Sequence, residues 1–183
     1  MQFWLFQILG TIVFMIGVFA SYLGAQRQLP WIGLLVVGII MVSDMIINRK
    51  QIVSKLKLIA FVGVAGFLIE TLMIALSVYS VAPSSMWLLS SPFVPVWIIA
   101  LWLNFGIRVP AYLPFFRGKH FINAFVGFAF AFLIFSSASN LQLVILNFSF
   151  WSIIICGIVW AILVPVIYIV ANKLFPLKIN NLF

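Results

Sequence analysis

LIAFVGVAGFLIETLMIALSVYS, Leu58 to Ser80, decides the fold. The run is long and apolar enough to cross a bilayer as a helix, yet it carries one acid, Glu70, near its middle. A carboxyl at that depth costs several kcal/mol unless protein or water shelters it. Glu70 is therefore either a structural, hydrogen-bonded carboxyl or a working group, and both readings require other helices around it. Gly63, Gly66, Glu70, Met73 and Ser77 fall on one helical face. The two glycines before the acid would let a neighbouring helix approach it.

Composition supports the same class. Hydrophobic residues make up 66% of the 183, and only 7% are charged. A soluble domain cannot hide so much apolar surface, whereas lipid can. The length suits about six spans. The single cysteine, Cys156, excludes an internal disulfide and a thiolate cluster, and the single histidine, His120, excludes multi-histidine metal boxes. No metal and no cofactor are expected. Cys156 reads as a small apolar packer and His120 as a solvated loop residue.

Outward from the central stretch, the spans are expected at about 3–24, 31–48, 58–80, 93–112, 121–135 and 149–171. The first has no basic flank and exceeds the apolar core of a signal peptide, so it reads as a retained helix. Its Gln7, Gly10, Gly17 and Ser21 share an inward face. The fourth is bracketed by Pro92 and Pro95 at one end and Pro110 and Pro114 at the other. On it, Trp97, Leu101, Asn104 and Arg108 share a face. The fifth carries a small stripe, Ala124, Gly127 and Ala131. Pro165 should kink the last. The uncharged loop 81–92 is expected to lie in the interface or dip back into the membrane. No internal repeat stands out.

With six spans, nine of the ten Lys and Arg fall on one side, with only Arg27 opposite. The positive-inside rule then puts both termini in the cytoplasm. The net charge of +8 reflects topology and lipid headgroups, not a nucleic-acid surface. The fold class is thus an all-α, polytopic bundle of six transmembrane helices in one domain, 1–183.

Both acids fall inside spans. Counting residues by depth pairs Asp44 with Arg108 as a structural ion pair, and Glu70 with Asn104 plus nearby Ser or Tyr hydroxyls. Glu70, Asn104, Arg108 and Asp44 form the candidate polar site; Trp97 and Trp160 are candidate pocket lining, though both also suit ordinary packing. No phosphate loop, acid pair or membrane-depth Ser–His dyad is present.

Phe3-Trp4, Leu29-Pro-Trp-Ile-Gly33, Gly66 followed by Glu70, Pro95-Val-Trp97 with Leu101-Trp102 and Phe105, and Trp160 with Pro165 occur in this order. In that order and spacing the chain resembles a bacterial domain-of-unknown-function family of short six-span inner-membrane proteins. In that family the third-span acid is often Asp, and the fifth span is richer in Gly and Pro. Its members are often encoded near genes for enzymes resembling cyclopropane-fatty-acid synthases. The resemblance implies a bacterial inner-membrane location and work on lipid or envelope.

Two functions follow as expectations. One is a non-enzymatic module that binds a small molecule, membrane lipid or partner protein between its helices, as an accessory or transporter-like subunit does. The other is a membrane-embedded lipid-modifying enzyme with Glu70 as acid or base. The thin polar inventory favours the first.

Overall fold

Long apolar runs, broken where proline or polar residues cluster, fold as six helices. The computed structural model describes residues 2–85 and 93–176. In chain order the helices are α1 (Gln2–Gln26), α2 (Trp31–Ile47), α3 (Ile52–Ala75), α4 (Val96–Phe116), α5 (His120–Asn140) and α6 (Phe150–Leu174). Five are long and apolar enough to cross a membrane; α2, with 17 residues, is the shorter apolar one. Together they mark a multi-pass membrane protein. Leucine, isoleucine and phenylalanine side chains such as Leu68, Phe125 and Ile162 stay exposed on the outer faces, as lipid contact requires.

The helices pair as three consecutive hairpins, α1–α2, α3–α4 and α5–α6. Each first helix ends the same way. In α1, Leu29 N–H donates to Gly24 C=O and Gln28 N–H to Ala25 C=O; Val78 to Met73 and Ser77 to Ile74 do this for α3, and Leu143 to Ala138 and Gln142 to Ser139 for α5. These are Schellman closures, and they require a left-handed residue after the helix. Gln28, Ser77 and Gln142 supply it, at φ 62°, 57° and 56°.

Beyond two of these turns lies a feature the sequence reading lacked. Strands β1 (Tyr79–Val81) and β2 (Val144–Leu146) pair antiparallel, with Tyr79 opposite Leu146 and Val81 opposite Val144. This ribbon ties the α3–α4 connection to the α5–α6 connection. Asn147 Nδ2 donates to Ser77 C=O, and Ser152 Oγ to Val78 C=O. Loop backbone at the end of a bundle must find partners somewhere, and here two loops satisfy each other.

Several boundaries differ from expectation. The third span starts earlier, at Ile52, and stops at Ala75, so Val78 to Ser80 turn back instead of completing a helix. Glu70 consequently lies roughly 27 Å along α3 and about one and a half turns from its end, not at mid-helix. The fourth span runs through Pro110 and Pro114 to Phe116. Each proline removes one i→i−4 hydrogen bond, and Gln7 Nε2 of α1 donates to Ala111 C=O between them, at 3.0 Å. The fifth span extends to Asn140, and the last continues past Pro165 to Leu174. The expected dip of loop 81–92 concerns residues 86–92, which with Lys178 lie outside the described residues.

The small stripe on α5 packs as expected. Gly127 sits where a side chain would meet the Trp160 carbonyl of α6, at 2.5 Å, and Ala131 is fully buried. Cys156 is buried as a free thiol, and His120 is the exposed first residue of α5.

Candidate functional site

Two polar centres lie in the bundle. The first is built on Glu70, only 1% exposed. Because α3 stops at Ala75 and the chain reverses through the left-handed Ser77, Tyr79 comes back beside the acid. Its hydroxyl donates to Glu70 Oε2 at 2.8 Å. From α4, Trp102 Nε1 donates to Oε1 at 3.3 Å, and from α6, Trp160 Nε1 donates to the same oxygen at 3.0 Å. An indole N–H only donates, so these two contacts suit an acceptor and nothing else. The two indoles meet at 4.4 Å between ring centroids. Gly66, one turn before Glu70, makes this possible: a side chain there would collide with the Trp102 ring.

Space around Glu70 is small. A cavity of about 10 Å³ is lined by Glu70, Trp97, Trp102 and Trp160 together with Phe135 and Val144. That volume admits at most about one water. Trp97, 1% exposed, leans on Tyr22 at 5.7 Å between ring centroids and leaves its own Nε1 without a partner.

The second centre surrounds Arg108. The hairpin α1–α2 is tight where Gly33 faces Ser21; a side chain on that glycine would lie 2.6 Å from Ser21 Oγ. Towards the other end the two helices part. Between them and α4 opens a cleft of about 490 Å³. Its walls are mostly apolar, with Leu9, Val13, Ile39 and Ile47 on an exposed rim. Polar residues gather towards the end that carries the basic loops: Ser43, Asp44, Asn48, Gln51, Lys55 and Arg108.

Arg108 reaches from α4 to α1. Its Nη2 donates to the Gln7 carbonyl at 3.0 Å and to Gln7 Oε1 at 3.1 Å. The guanidinium lies 4.9 Å over the Tyr112 ring, and its Nε is buried without a partner. Gly10 leaves the room it occupies, since any side chain there would overlap it. Asn104, one turn earlier on α4, donates to the Phe14 carbonyl at 2.8 Å opposite Gly17, another position that a side chain would close.

The expected pairings are therefore corrected. Asp44 is bonded to Lys55, not to Arg108. The reason is the early start of α3, which folds Lys55 into its first turn and back over the end of α2; Asn48 Nδ2 adds a hydrogen bond to Asp44 Oδ1 at 3.0 Å. Asp44 and Arg108 nevertheless line the same cleft. Glu70 is bonded to Tyr79, Trp102 and Trp160, not to Asn104. The expected hydroxyl partner is thus present in Tyr79, while Asn104 spends its amide on α1. Of the six candidates, Asp44, Asn104 and Arg108 come together at the cleft, and Glu70, Trp97 and Trp160 come together at the acid.

Sequence reasoning missed Tyr79, Trp102 and Lys55. A signal existed for Trp102. Buried tryptophan needs an acceptor, and a chain with two acids offers few. Tyr79 and Lys55 depended on where α3 stops and begins, which hydropathy alone does not fix.

No curated protein and no solved structure is similar enough to the chain to count as a match. A family described as Protein of unknown function (DUF2878) matches residues 7–166. That stretch holds both polar centres and all six helices at least in part, and the chain belongs to that family.

Proposed function

We propose that this protein is a non-enzymatic membrane module that holds an amphiphilic molecule in the cleft between α1, α2 and α4. The observation that carries the reading is the cleft itself: about 490 Å³, within the range of small-molecule sites, apolar along its length and polar at one end. Its exposed apolar rim suits entry from the lipid. The contrast with Glu70 supports the same choice over a lipid-modifying enzyme. That carboxyl is held by three donors beside a cavity of about 10 Å³, which leaves no place for a reacting lipid.

The reading extends to six spans in a bacterial inner membrane with both ends in the cytoplasm. Its support is the arrangement of charge. Arg49, Lys50, Lys55, Lys57, Arg117, Lys119 and Lys173 gather at the end where α2, α4 and α6 finish, and Arg27 sits at the other. α2, at roughly 25 Å, is a few Å shorter than a bilayer core and would cross it only upright, with local thinning of the bilayer.

Native mass spectrometry of the protein purified in mild detergent tests the proposal. The wild type is expected to carry a bound amphiphile, and Ser43→Trp, which fills the cleft from an exposed wall position, is expected to lose it. A wild type that carries no amphiphile, before or after lipid is added back, refutes the reading.

A further inference from the structure

The amphiphile's charge is the next question, and this inference rests on the cleft reading above. An arginine at membrane depth pairs with an acid or with backbone carbonyls, or reaches the interface, and only an acid answers its charge. Both acids of this chain are committed elsewhere: Asp44 to Lys55 and Glu70 to Tyr79 and two indoles. Among the described residues Arg108 has neutral partners only, the carbonyl and amide of Gln7 and the face of Tyr112. One of its buried donors, Nε, has none. The cleft thus contains two cations, Arg108 and Lys55, and one anion, Asp44, leaving one positive charge unanswered.

We propose that the cleft selects a phospholipid whose headgroup carries a single negative charge, seated with its phosphate at Arg108. A phosphodiester brings one negative charge and acceptor oxygens, which a guanidinium binds strongly. The Asp44–Lys55 pair at the same end is neutral as a pair, so the cleft holds no further cation to answer a second negative charge on the ligand. Ser43 and Gln51 line this end as well and offer neutral hydrogen-bonding groups to headgroup hydroxyls. The acyl chains would run along Leu9, Val13 and Ile40, where no charge intervenes. A zwitterionic headgroup also brings a phosphate, but its ammonium would enter beside a site already positive by one.

The test uses delipidated full-length protein in detergent. It is titrated with dioleoylphosphatidylglycerol, dioleoylphosphatidylcholine or oleate and read by native mass spectrometry. Wild type is expected to retain phosphatidylglycerol over phosphatidylcholine by on the order of tenfold. Arg108→Gln should bring that ratio close to one while phosphatidylcholine retention persists, and Arg108→Lys should keep part of the preference. Equal retention of the two phospholipids by wild type overturns the inference and leaves the cleft reading standing. So does an unchanged preference in Arg108→Gln, which would assign the selectivity to the basic loops. Retention of oleate above both replaces the phosphodiester with a carboxylate and overturns the headgroup assignment. Retention of none of the three overturns the cleft reading together with this one. If Arg108→Gln does not fold, the wild-type ratio and the Arg108→Lys variant still decide the outcome.

Discussion

Glu70 and Arg108 are both charged-type side chains within the helices of one small bundle, and the bundle treats them oppositely. Around Glu70 both oxygens are engaged: a phenol and two indoles converge on them, aromatic rings close over them, and the remaining space of about 10 Å³ admits at most about one water. Around Arg108 a glycine opens room, the partners are neutral, one donor is left over, and a cleft of about 490 Å³ lies alongside. The first arrangement joins α3, α4, α6 and the β1 turn. The second leaves α1 and α2 parted. An intramembrane ionisable group is a site hypothesis by default, but the default does not say which of two groups is the site. On the cleft reading proposed above, satisfaction of the group and the space beside it favour the arginine.

The largest effects should separate the two centres cleanly. Glu70→Leu leaves two indole N–H groups and a phenol buried without an acceptor. Each orphaned donor costs about 1–3 kcal/mol, so the variant should lose about 3 kcal/mol or more, read as a drop in thermal unfolding temperature in a fixed detergent. Glu70→Gln keeps one carbonyl oxygen and should lose less than half as much. Any Glu70→Gln protein that folds should still carry its amphiphile. Arg108→Met is expected to do the reverse: about 1 kcal/mol or less of stability, and loss of the preference for anionic lipid. Should Glu70→Gln fold normally and lose the ligand, the division between the two centres fails.

A second comparison uses the two glycines that make room. At Gly66 a new methyl group meets the rigid indole of Trp102, which is itself fixed to Glu70. Gly66→Ala should therefore cost about 1–3 kcal/mol through overpacking. At Gly10 the methyl meets the tip of a flexible arginine with an open cleft beside it. Gly10→Ala should stay within about 0.5 kcal/mol of wild type while shifting Arg108 and lowering the phosphatidylglycerol preference. Equal losses of stability in both variants would mean that the arginine is as tightly seated as the indole.

Much of this architecture was legible in the chain. Hydropathy located six apolar helices. Small residues marked buried contacts at Gly66, Gly127 and along the inner face of α1. Glu70 stood out as needing shelter, and a hydroxyl partner was anticipated. The hidden part concerned where helices stop. Val78-Tyr79-Ser80 carries no charge, proline or glycine to mark an end, so nothing in the sequence shows that it reverses and delivers Tyr79 to the acid. The prolines of α4 suggested an end at Tyr112, yet the helix runs through both to Phe116, packed against α1. Lys55 counted as a loop cation and emerged as the partner of Asp44, because α3 starts before the apolar run does. Pairing charges by depth identified residues of the same cleft but not their bonds, since depth says nothing of which faces meet.

The three hairpin turns were hidden for a related reason, and they give the smallest and most symmetrical test. Helices α1, α3 and α5 close with the same pair of hydrogen bonds, but the left-handed position is filled by Gln28, Ser77 and Gln142 instead of the glycine that would have advertised it. A left-handed conformation costs a residue with a Cβ roughly 1–2 kcal/mol, part of which glycine returns as unfolded-chain entropy. All three side chains are exposed, and none is tied down by a hydrogen bond that glycine would remove. Gln28→Gly, Ser77→Gly and Gln142→Gly should therefore each stabilise by about 0.5–1 kcal/mol, measured by thermal unfolding. The comparison between them carries the information. Ser77 and Gln142 anchor the ribbon beside the Glu70 centre, where neighbouring strands already hold the turn in place, so relief of strain should register in full. Gln28 closes the hairpin whose far end parts to form the cleft. If opening of that hairpin is coupled to its turn, Gln28→Gly alone should also change how much amphiphile the protein retains, whereas the other two should leave retention as it was.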